Sequence, residues 1–188
     1  MPETMEEIRS FLTRRVAEGF DSAEEIIDSA IECFEVEEDE ELCRVIAHLT
    51  SERMAEYLRS QSQWPTPTDC DRLDWAFEEL ERDGIVARQN FTCCCNCGHY
   101  EIWDEIKQAR EEHPVEGYVF YHMQDTEAAV AGGYLYLAYG SVEEDEEALT
   151  TIGRKIVLGL ERAGLRTQWD GQGNTRIRII DFDWKRRR

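Results

Sequence analysis

Apolar residues recur with the 3.6-residue period of an amphipathic helix in four segments of the first half of the chain. The second segment begins with Ser22-x-x-Glu25, the spacing of a capping box, and Gly19 and Gly84 stand where such helices commonly end. The pattern predicts helices over residues 5–19, 21–34, 42–60 and 68–83. The first half is therefore expected to be helical throughout.

The second half of the chain alternates between strand and helix patterns after one further helical pattern over residues 99–112. The later elements are a strand (117–123), a short helix ending at 130, a strand (134–139), a long helix (143–163) and a hairpin (165–169 and 175–182). The order β-α-β-α-β-β predicts a four-stranded sheet that carries helices. We predict an α+β fold in which an N-terminal, bundle-like helical half packs beside this C-terminal sheet.

Two segments between these halves suggest how the chain divides. Trp64-Pro65-Thr66-Pro67 predicts an extended linker, because each proline disfavours helix at the residue before it. The short run Ile85–Arg88 predicts a strand. We divide the chain into an acidic helical region, residues 1–90, and a region of 91–188 with a cysteine loop and the α+β domain, although 188 residues also fit one compact unit. Lys185–Arg188 is predicted to be a frayed basic tail.

The chain is strongly acidic, with 41 acidic and 21 basic residues and a net charge of −20. This charge repels phosphate backbones and anionic lipids, which argues against nucleic acid and membranes as partners. It suits a basic protein partner, and it also suits general solubility without any partner. The sequence does not indicate an oligomeric state.

The cysteine content bears on the compartment. The N-terminus lacks the basic and apolar regions of a signal peptide, and no apolar run reaches the length of a membrane span, so we expect a cytoplasmic protein. Seven cysteines in a reducing compartment argue for free, metal-bound or redox-active thiols. Cys33, Cys43 and Cys70 lie in helical patterns and are expected to be buried apolar thiols.

The other four cysteines, Cys93, Cys94, Cys95 and Cys97, lie close together before the helical pattern of residues 99–112. Cys94-x-x-Cys97 has the spacing of zinc sites and of dithiol redox centres. A helix N-terminus lowers thiol pKa values through its dipole and its unpaired N–H groups, so Cys94 or Cys97 is expected to be partly ionised near neutral pH. The residue types leave metal binding, redox chemistry and inert thiols open.

A structural zinc site normally has four protein ligands, and the chain has no second CxxC motif. We expect Cys94 and Cys97 as ligands and Cys93 as the third. The fourth is expected to be His99, which is close in sequence, or His122, which is close in the inferred topology.

His122 and Asp125 fall between the first predicted strand and the next helix, where polar groups gather in many α/β sites. If the protein is a thiol enzyme, Cys94 or Cys97 would be the nucleophile and its neighbour the resolving thiol, with His122 as acid or base and Asp125 as a further candidate. Local structure offers another explanation, in which His122 lies at the edge of the core and Asp125 is a helix N-cap.

Four segments resemble a bacterial domain family of unknown function. They are Phe91-Thr-Cys-Cys-x-x-Cys-Gly98, Gly117-Tyr-Val-Phe-Tyr-His-x-Gln-Asp-Thr-Glu127, Leu135-Tyr-Leu-Ala-Tyr-Gly140 and Trp169-Asp-Gly171. The resemblance covers roughly residues 91–180 and implies family membership without an activity. The family pattern has a polar residue in place of Cys95, so the thiols that the resemblance carries over are Cys93, Cys94 and Cys97.

No nucleotide-binding loop, zincin helix or nucleophile elbow occurs in the sequence. We therefore expect an acidic, non-catalytic binding or regulatory protein of the immunity type, with a basic protein as its candidate partner. The alternatives are a thiol-dependent enzyme or redox protein that uses the Cys93–Cys97 cluster, and a structural zinc-binding protein.

Overall fold

The computed structural model describes residues 2–188, with side chains from residue 5 onward. Within that range it has seven α-helices and a five-stranded mixed sheet, which confirms the α+β class. The helices are α1 Pro2–Glu18, α2 Ala23–Cys33, α3 Glu40–Ser60, α4 Asp69–Arg82, α5 Cys95–Ala109, α6 Met123–Val130 and α7 Glu146–Arg162. The strands are β1 Ile85–Arg88, β2 Gly117–Phe120, β3 Leu135–Ser141, β4 Arg166–Gln168 and β5 Ile177–Ile180.

The chain forms two compact units, and the division falls inside the predicted proline linker. The helical unit runs to Thr66 and includes Lys185–Arg188, and the sheet unit is Pro67–Trp184. The division drawn from the sequence lies at residue 90 and so differs from this one. The difference arises because α4 packs on β1 and α7, so the fourth helix belongs with the sheet. Among the described residues, no helix combines the length and the apolar character that a membrane span requires.

In the helical unit, α1, α2 and α3 pack their apolar faces against one another. Ile8, Leu12, Ile26 and Ile46 are fully buried there, as the 3.6-residue period requires. The predicted capping box is present, because Ser22 Oγ accepts from Glu25 N–H at 3.2 Å and the Glu25 carboxylate accepts from Ser22 N–H at 2.7 Å. This unit is assembled from helices that are adjacent in sequence.

The C-terminal residues are ordered, and the expectation of a frayed tail was wrong. The Arg188 guanidinium donates to the carbonyls of Val16 at 3.1 Å and Arg15 at 3.3 Å, near the end of α1. The Arg186 guanidinium lies 4.6 Å from the centre of the Phe20 ring. Arg188 satisfies carbonyl groups that a helix end leaves without partners, and Arg186 adds the contact with the Phe20 ring, which together explain why the segment docks.

The sheet has the strand order β1-β2-β3-β5-β4. β1 runs parallel to β2, with Ile85 opposite Gly117 and Arg88 opposite Phe120, and the other neighbouring pairs are antiparallel. The predicted count of four strands therefore rises to five, since the short strand β1 joins the edge through a crossover that contains α5. Periodicity finds such a strand, but its parallel partner depends on how the crossover packs.

Both faces of β2 are buried, as its apolar sequence predicted. Tyr118 and Phe120 lie on the face covered by Ile102 and Ile106 of α5. Val119 points to the other face, because side chains alternate along a strand. The parallel pair β1 and β2 thus forms the buried base from which the cysteine loop starts.

Candidate functional site

The cysteine loop follows β1 and is held against the segment that follows β2. Phe91 N–H donates to the Tyr121 carbonyl at 2.8 Å, and Met123 N–H donates to the Thr92 carbonyl at 3.1 Å. The carboxyl ends of parallel strands meet at one edge of a sheet, where sites commonly form in α/β folds. The loop is therefore fixed in place by main-chain bonds at that edge.

The backbone of this loop is strained at two positions. Asn90 has φ 51° and Thr92 has φ 59°, in the left-handed region that a β-branched residue such as threonine rarely adopts. Thr126 Oγ1 donates to Asn90 Oδ1 at 2.8 Å, and Thr92 Oγ1 donates to the Cys94 carbonyl at 3.1 Å. Such conformations persist where surrounding bonds enforce them, and they are common at functional sites.

The loop ends at Cys94, which is the N-cap residue of α5. The Sγ atoms of Cys93, Cys94 and Cys97 all lie within 4.8 Å of one another, and the Sγ atoms of Cys93 and Cys97 are 3.5 Å apart. We call these residues the three-thiol centre. Gly98, buried against the Phe120 ring, has no side chain to keep the start of α5 away from β2.

The three thiols differ in acidity because they share hydrogen bonds. The pKa of Cys94 is lowered, first by the main-chain N–H of Cys97 and then by hydrogen bonds with the Cys97 and Cys93 thiols. Hydrogen bonds with the Cys93 and Cys94 thiols, and then their charges, raise the pKa of Cys97 to about 12, because a second thiolate beside a first is unfavourable. Cys94 therefore ionises more readily than Cys97, and its position at a helix N-terminus stabilises that negative charge.

Cys95 lies apart from the three-thiol centre. It packs against the apolar cluster under α5, and burial is the main cause that raises the pKa of its thiol. The motif resemblance likewise left Cys95 outside the set of carried-over thiols. Of the three cysteines expected to be buried, Cys70 is buried, Cys43 is half-buried and Cys33 is exposed, so the expectation was wrong for Cys33.

The structure does not bring the candidate histidines into the three-thiol centre. His99 Nδ1 is hydrogen-bonded to Tyr118 Oη at 3.0 Å, its ring packs 5.1 Å from the Phe120 ring centre, and burial lowers its pKa. His122 belongs to a different cluster, with Asp125 and Arg176. Among the side chains described, those of residues 5–188, the only group of three or more potential metal ligands close enough to share one ion is the three-thiol centre.

His122 and Asp125 form a capping box at the start of α6, so the explanation from local structure accounts for both. Asp125 Oδ2 accepts from His122 N–H at 3.2 Å and lies 3.1 Å from His122 Nε2. The same oxygen accepts from Arg176 Nη2 at 2.5 Å. Burial is the main cause that lowers the His122 pKa; the negative charge of Asp125 opposes this shift, and the positive charge of Arg176 adds to it.

Arg176 is a member of this cluster that sequence reasoning missed. Its guanidinium also donates to the Tyr136 carbonyl at 2.9 Å and lies 5.4 Å from the centre of the Tyr136 ring. Arg176 and Asp125 are 51 residues apart, and no spacing rule connects them. The only signal in the sequence was that Arg176 falls within the predicted strand of residues 175–182.

The three-thiol centre has dimensions that fit a metal ion. Two thiolates bound to one tetrahedral zinc ion, each at about 2.3 Å, lie about 3.8 Å apart. The 3.5 Å between the Cys93 and Cys97 sulfurs and the 4.8 Å limit for the whole group are close to that separation. The three cysteines could therefore hold one thiophilic ion after small side-chain rotations, with a fourth coordination position left open.

The chain belongs to the family DUF6891, described as a domain of unknown function, whose model matches residues 1–188. The family of unknown function inferred from the motifs is thereby confirmed, and the match extends beyond residues 91–180 to the whole chain. Comparison with curated proteins gave no match, and comparison with solved structures gave none. The family description names no activity, so the function has to be argued from geometry.

Proposed function

We propose that this protein is a non-catalytic binding protein whose three-thiol centre holds a zinc ion. The observation that carries the proposal is the convergence of the Cys93, Cys94 and Cys97 sulfurs within 4.8 Å at the N-terminus of α5. Thiolates are strong ligands for zinc, and a helix N-terminus favours the negative charge that they bring. A bound cation would also remove the repulsion that raises the pKa of Cys97.

The surroundings support a binding role over a catalytic one. His122 and Asp125 are engaged in the capping box and with Arg176, and no hydrogen bond among the described residues joins His122 to the three-thiol centre. A catalytic acid or base has to reach the reacting group directly or through one water molecule. The fourth zinc position would then be filled by water or by a group from a partner.

Zinc content tests this proposal directly. Wild-type protein purified with zinc supplied should contain one zinc per chain by elemental analysis, and Cys94→Ser/Cys97→Ser should contain none. The double variant should also melt at a lower temperature, because metal binding is coupled to folding. Cys33→Ser/Cys95→Ser is the matched control, since it removes two thiols outside the three-thiol centre and should keep the zinc.

Two results would overturn the zinc proposal. One is a wild-type protein that remains free of metal after zinc has been supplied. The other is a Cys94→Ser/Cys97→Ser variant that keeps as much zinc as the control.

A dithiol redox role is the second candidate, and the 3.5 Å separation of the Cys93 and Cys97 sulfurs favours it. With glutathione disulfide as oxidant, the two cysteine thiols would lose two protons and two electrons and form one disulfide, and the oxidant would become two glutathione thiols. Peptide mapping should then find a Cys93–Cys97 bond. If the protein takes up no zinc but forms this bond reversibly, the redox role would replace zinc binding as the favoured function.

The net charge of −20 supports a further part of the proposal, that the partner is a basic protein. Opposite charges accelerate encounter and make the association rate fall as salt rises. A regulatory role of the immunity type would fit such a partner. This part is independent of the three-thiol centre.

A further inference from the structure

A cleft in the sheet unit combines aromatic walls with carboxylates, and the three-thiol centre has no part in it. Its volume is about 550 Å³, within the range of sites that hold small ligands or peptide side chains. Its lining includes Trp103, Tyr118, Tyr139, Glu143 and Glu144. These residues come from α5, β2, β3 and the loop before α7.

The aromatic walls are held in position without a ligand. The Tyr139 hydroxyl donates to the Gln172 carbonyl at 3.0 Å, and the Tyr118 hydroxyl is hydrogen-bonded to His99 at 3.0 Å. The Trp103 ring stands edge-on to Tyr118 with centroids 6.2 Å apart, and Trp103 is 40% exposed. An exposed tryptophan beside fixed rings is typical of an anchor position in an interface.

The carboxylates of the cleft have different structural roles. Asp145 is the N-cap of α7, and Glu146 lies in the first turn, where the helix dipole favours acidic residues. Glu143 and Glu144 precede the helix, are exposed, and make no side-chain ion pair with any described residue. The lining contains no lysine or arginine, so a cation from outside would meet no like charge there.

We propose that this cleft binds an arginine side chain presented by a basic segment of a partner protein. A guanidinium is planar, stacks on aromatic faces, and donates paired hydrogen bonds to carboxylates, so it can use Trp103 and the two glutamates together. The net charge of −20 attracts such a segment, and the cleft is large enough for the arginine and its flanking backbone. This inference rests on the proposed basic partner and does not depend on zinc.

Calorimetric titration of the full chain with a capped peptide of alternating arginine and glycine tests the inference. The wild type should bind this peptide, and the same peptide with citrulline in place of arginine should not bind, because citrulline keeps the shape and loses the charge. Trp103→Ala should weaken binding at least about fivefold. Glu143→Gln/Glu144→Gln should weaken it by a similar factor, and both positions are exposed, so that variant should fold normally.

The matched controls distinguish binding of the peptide at the cleft from a general attraction to the acidic surface. Trp75→Ala removes another exposed tryptophan, which is 52% exposed on α4, and Glu37→Gln/Glu38→Gln removes the same charge from the helical unit. Both controls should change affinity by less than about twofold. Equal weakening by the Glu37/Glu38 pair, equal binding of the citrulline peptide, or no binding of the arginine peptide would overturn the proposal.

The peptide titration and the zinc measurement give independent results. Cys94→Ser/Cys97→Ser should bind the arginine peptide like the wild type if it remains folded at the temperature of the titration. Loss of zinc with unchanged peptide binding supports the cleft as a separate site.

Discussion

The helical unit and the sheet unit use their polar groups in different ways. In both units polar side chains complete helix ends, as Ser22 does for α2, Arg188 near the end of α1 and Asp145 for α7. In the sheet unit, the three thiols bond chiefly to one another, and Glu143 and Glu144 have no ion-pair partner among the described side chains. The candidate binding chemistry therefore lies in the sheet unit, whereas the polar groups named in the helical unit stabilise helix ends.

The helix caps of the helical unit and the candidate site of the sheet unit also differ in how close their bonded residues are in sequence, although Arg188 bonds to Val16 across 172 residues. The caps of α2 and α3 connect residues three apart, whereas the Asp125–Arg176 contact spans 51 residues and the thiol loop pairs with residues about 30 positions later. Contacts over long sequence distances form only after the sheet has assembled. Changes to the packing of the sheet unit should therefore affect the candidate site more than changes in the helical unit.

The largest expected effect comes from Gly98→Ala in α5. A methyl group there would clash with the Phe120 ring, which is fully buried and cannot easily move. We expect a loss of about 1–3 kcal/mol in the free energy of unfolding, as for other overpacked cores. Urea denaturation would measure it, and weaker zinc binding should accompany it because α5 starts at the three-thiol centre.

Gly159→Ala is the matched control, since Gly159 is also a buried helical glycine. The nearest atom to its added methyl group would be Leu80 Cδ2 at 3.4 Å, an ordinary contact. Helix propensity then predicts a gain of up to about 1 kcal/mol. Similar losses for both variants would show that close packing at Phe120 is not what distinguishes Gly98.

The helices, the strand segments and the capping box at Ser22 could be predicted from the sequence, because each depends on local spacing. The parallel pairing of β1 and the docking of Arg188 could not, since both depend on tertiary packing. The CxxC spacing pointed to Cys94 and Cys97. The separation of His99 and His122 from these thiols depends on side-chain directions at the edge of the sheet, which the sequence does not specify.

An intermediate effect is expected for Arg188→Ala in the helical unit. The variant removes bonds to the Val16 and Arg15 carbonyls, so unfolding should require about 1–2 kcal/mol less free energy. Arg59→Ala controls for the lost charge, because Arg59 is exposed and its side chain makes no ion pair with any residue described. Hydrogen exchange should quicken around the end of α1, and unchanged exchange in both variants would restore the prediction of a frayed tail.

The smallest expected effect is the pH dependence that His122 contributes. Burial and the charge of Arg176 lower the pKa of His122 below its ordinary value of 6.5 in the folded protein. The unfolded chain therefore binds a proton more readily than the folded chain when the pH falls below about 6.5. The contribution of His122 to stability is complete above that pH and is lost as the pH falls towards the pKa in the folded protein. Below the folded pKa no further loss occurs.

His122→Asn should reduce this loss while keeping the cap, because asparagine is a good N-cap residue. Melting temperatures measured from pH 7.5 to pH 5 should fall less for the variant than for the wild type, by at most about 3 °C. His48→Asn is the control from the helical unit, since its side chain is 72% exposed, and it should leave the wild-type curve unchanged. Because burial also lowers the pKa of His99, part of the acid sensitivity should survive in His122→Asn and should decrease further when His99 is replaced as well. An equal flattening of the curve by His48→Asn would mean that the acid sensitivity is not confined to the sheet unit.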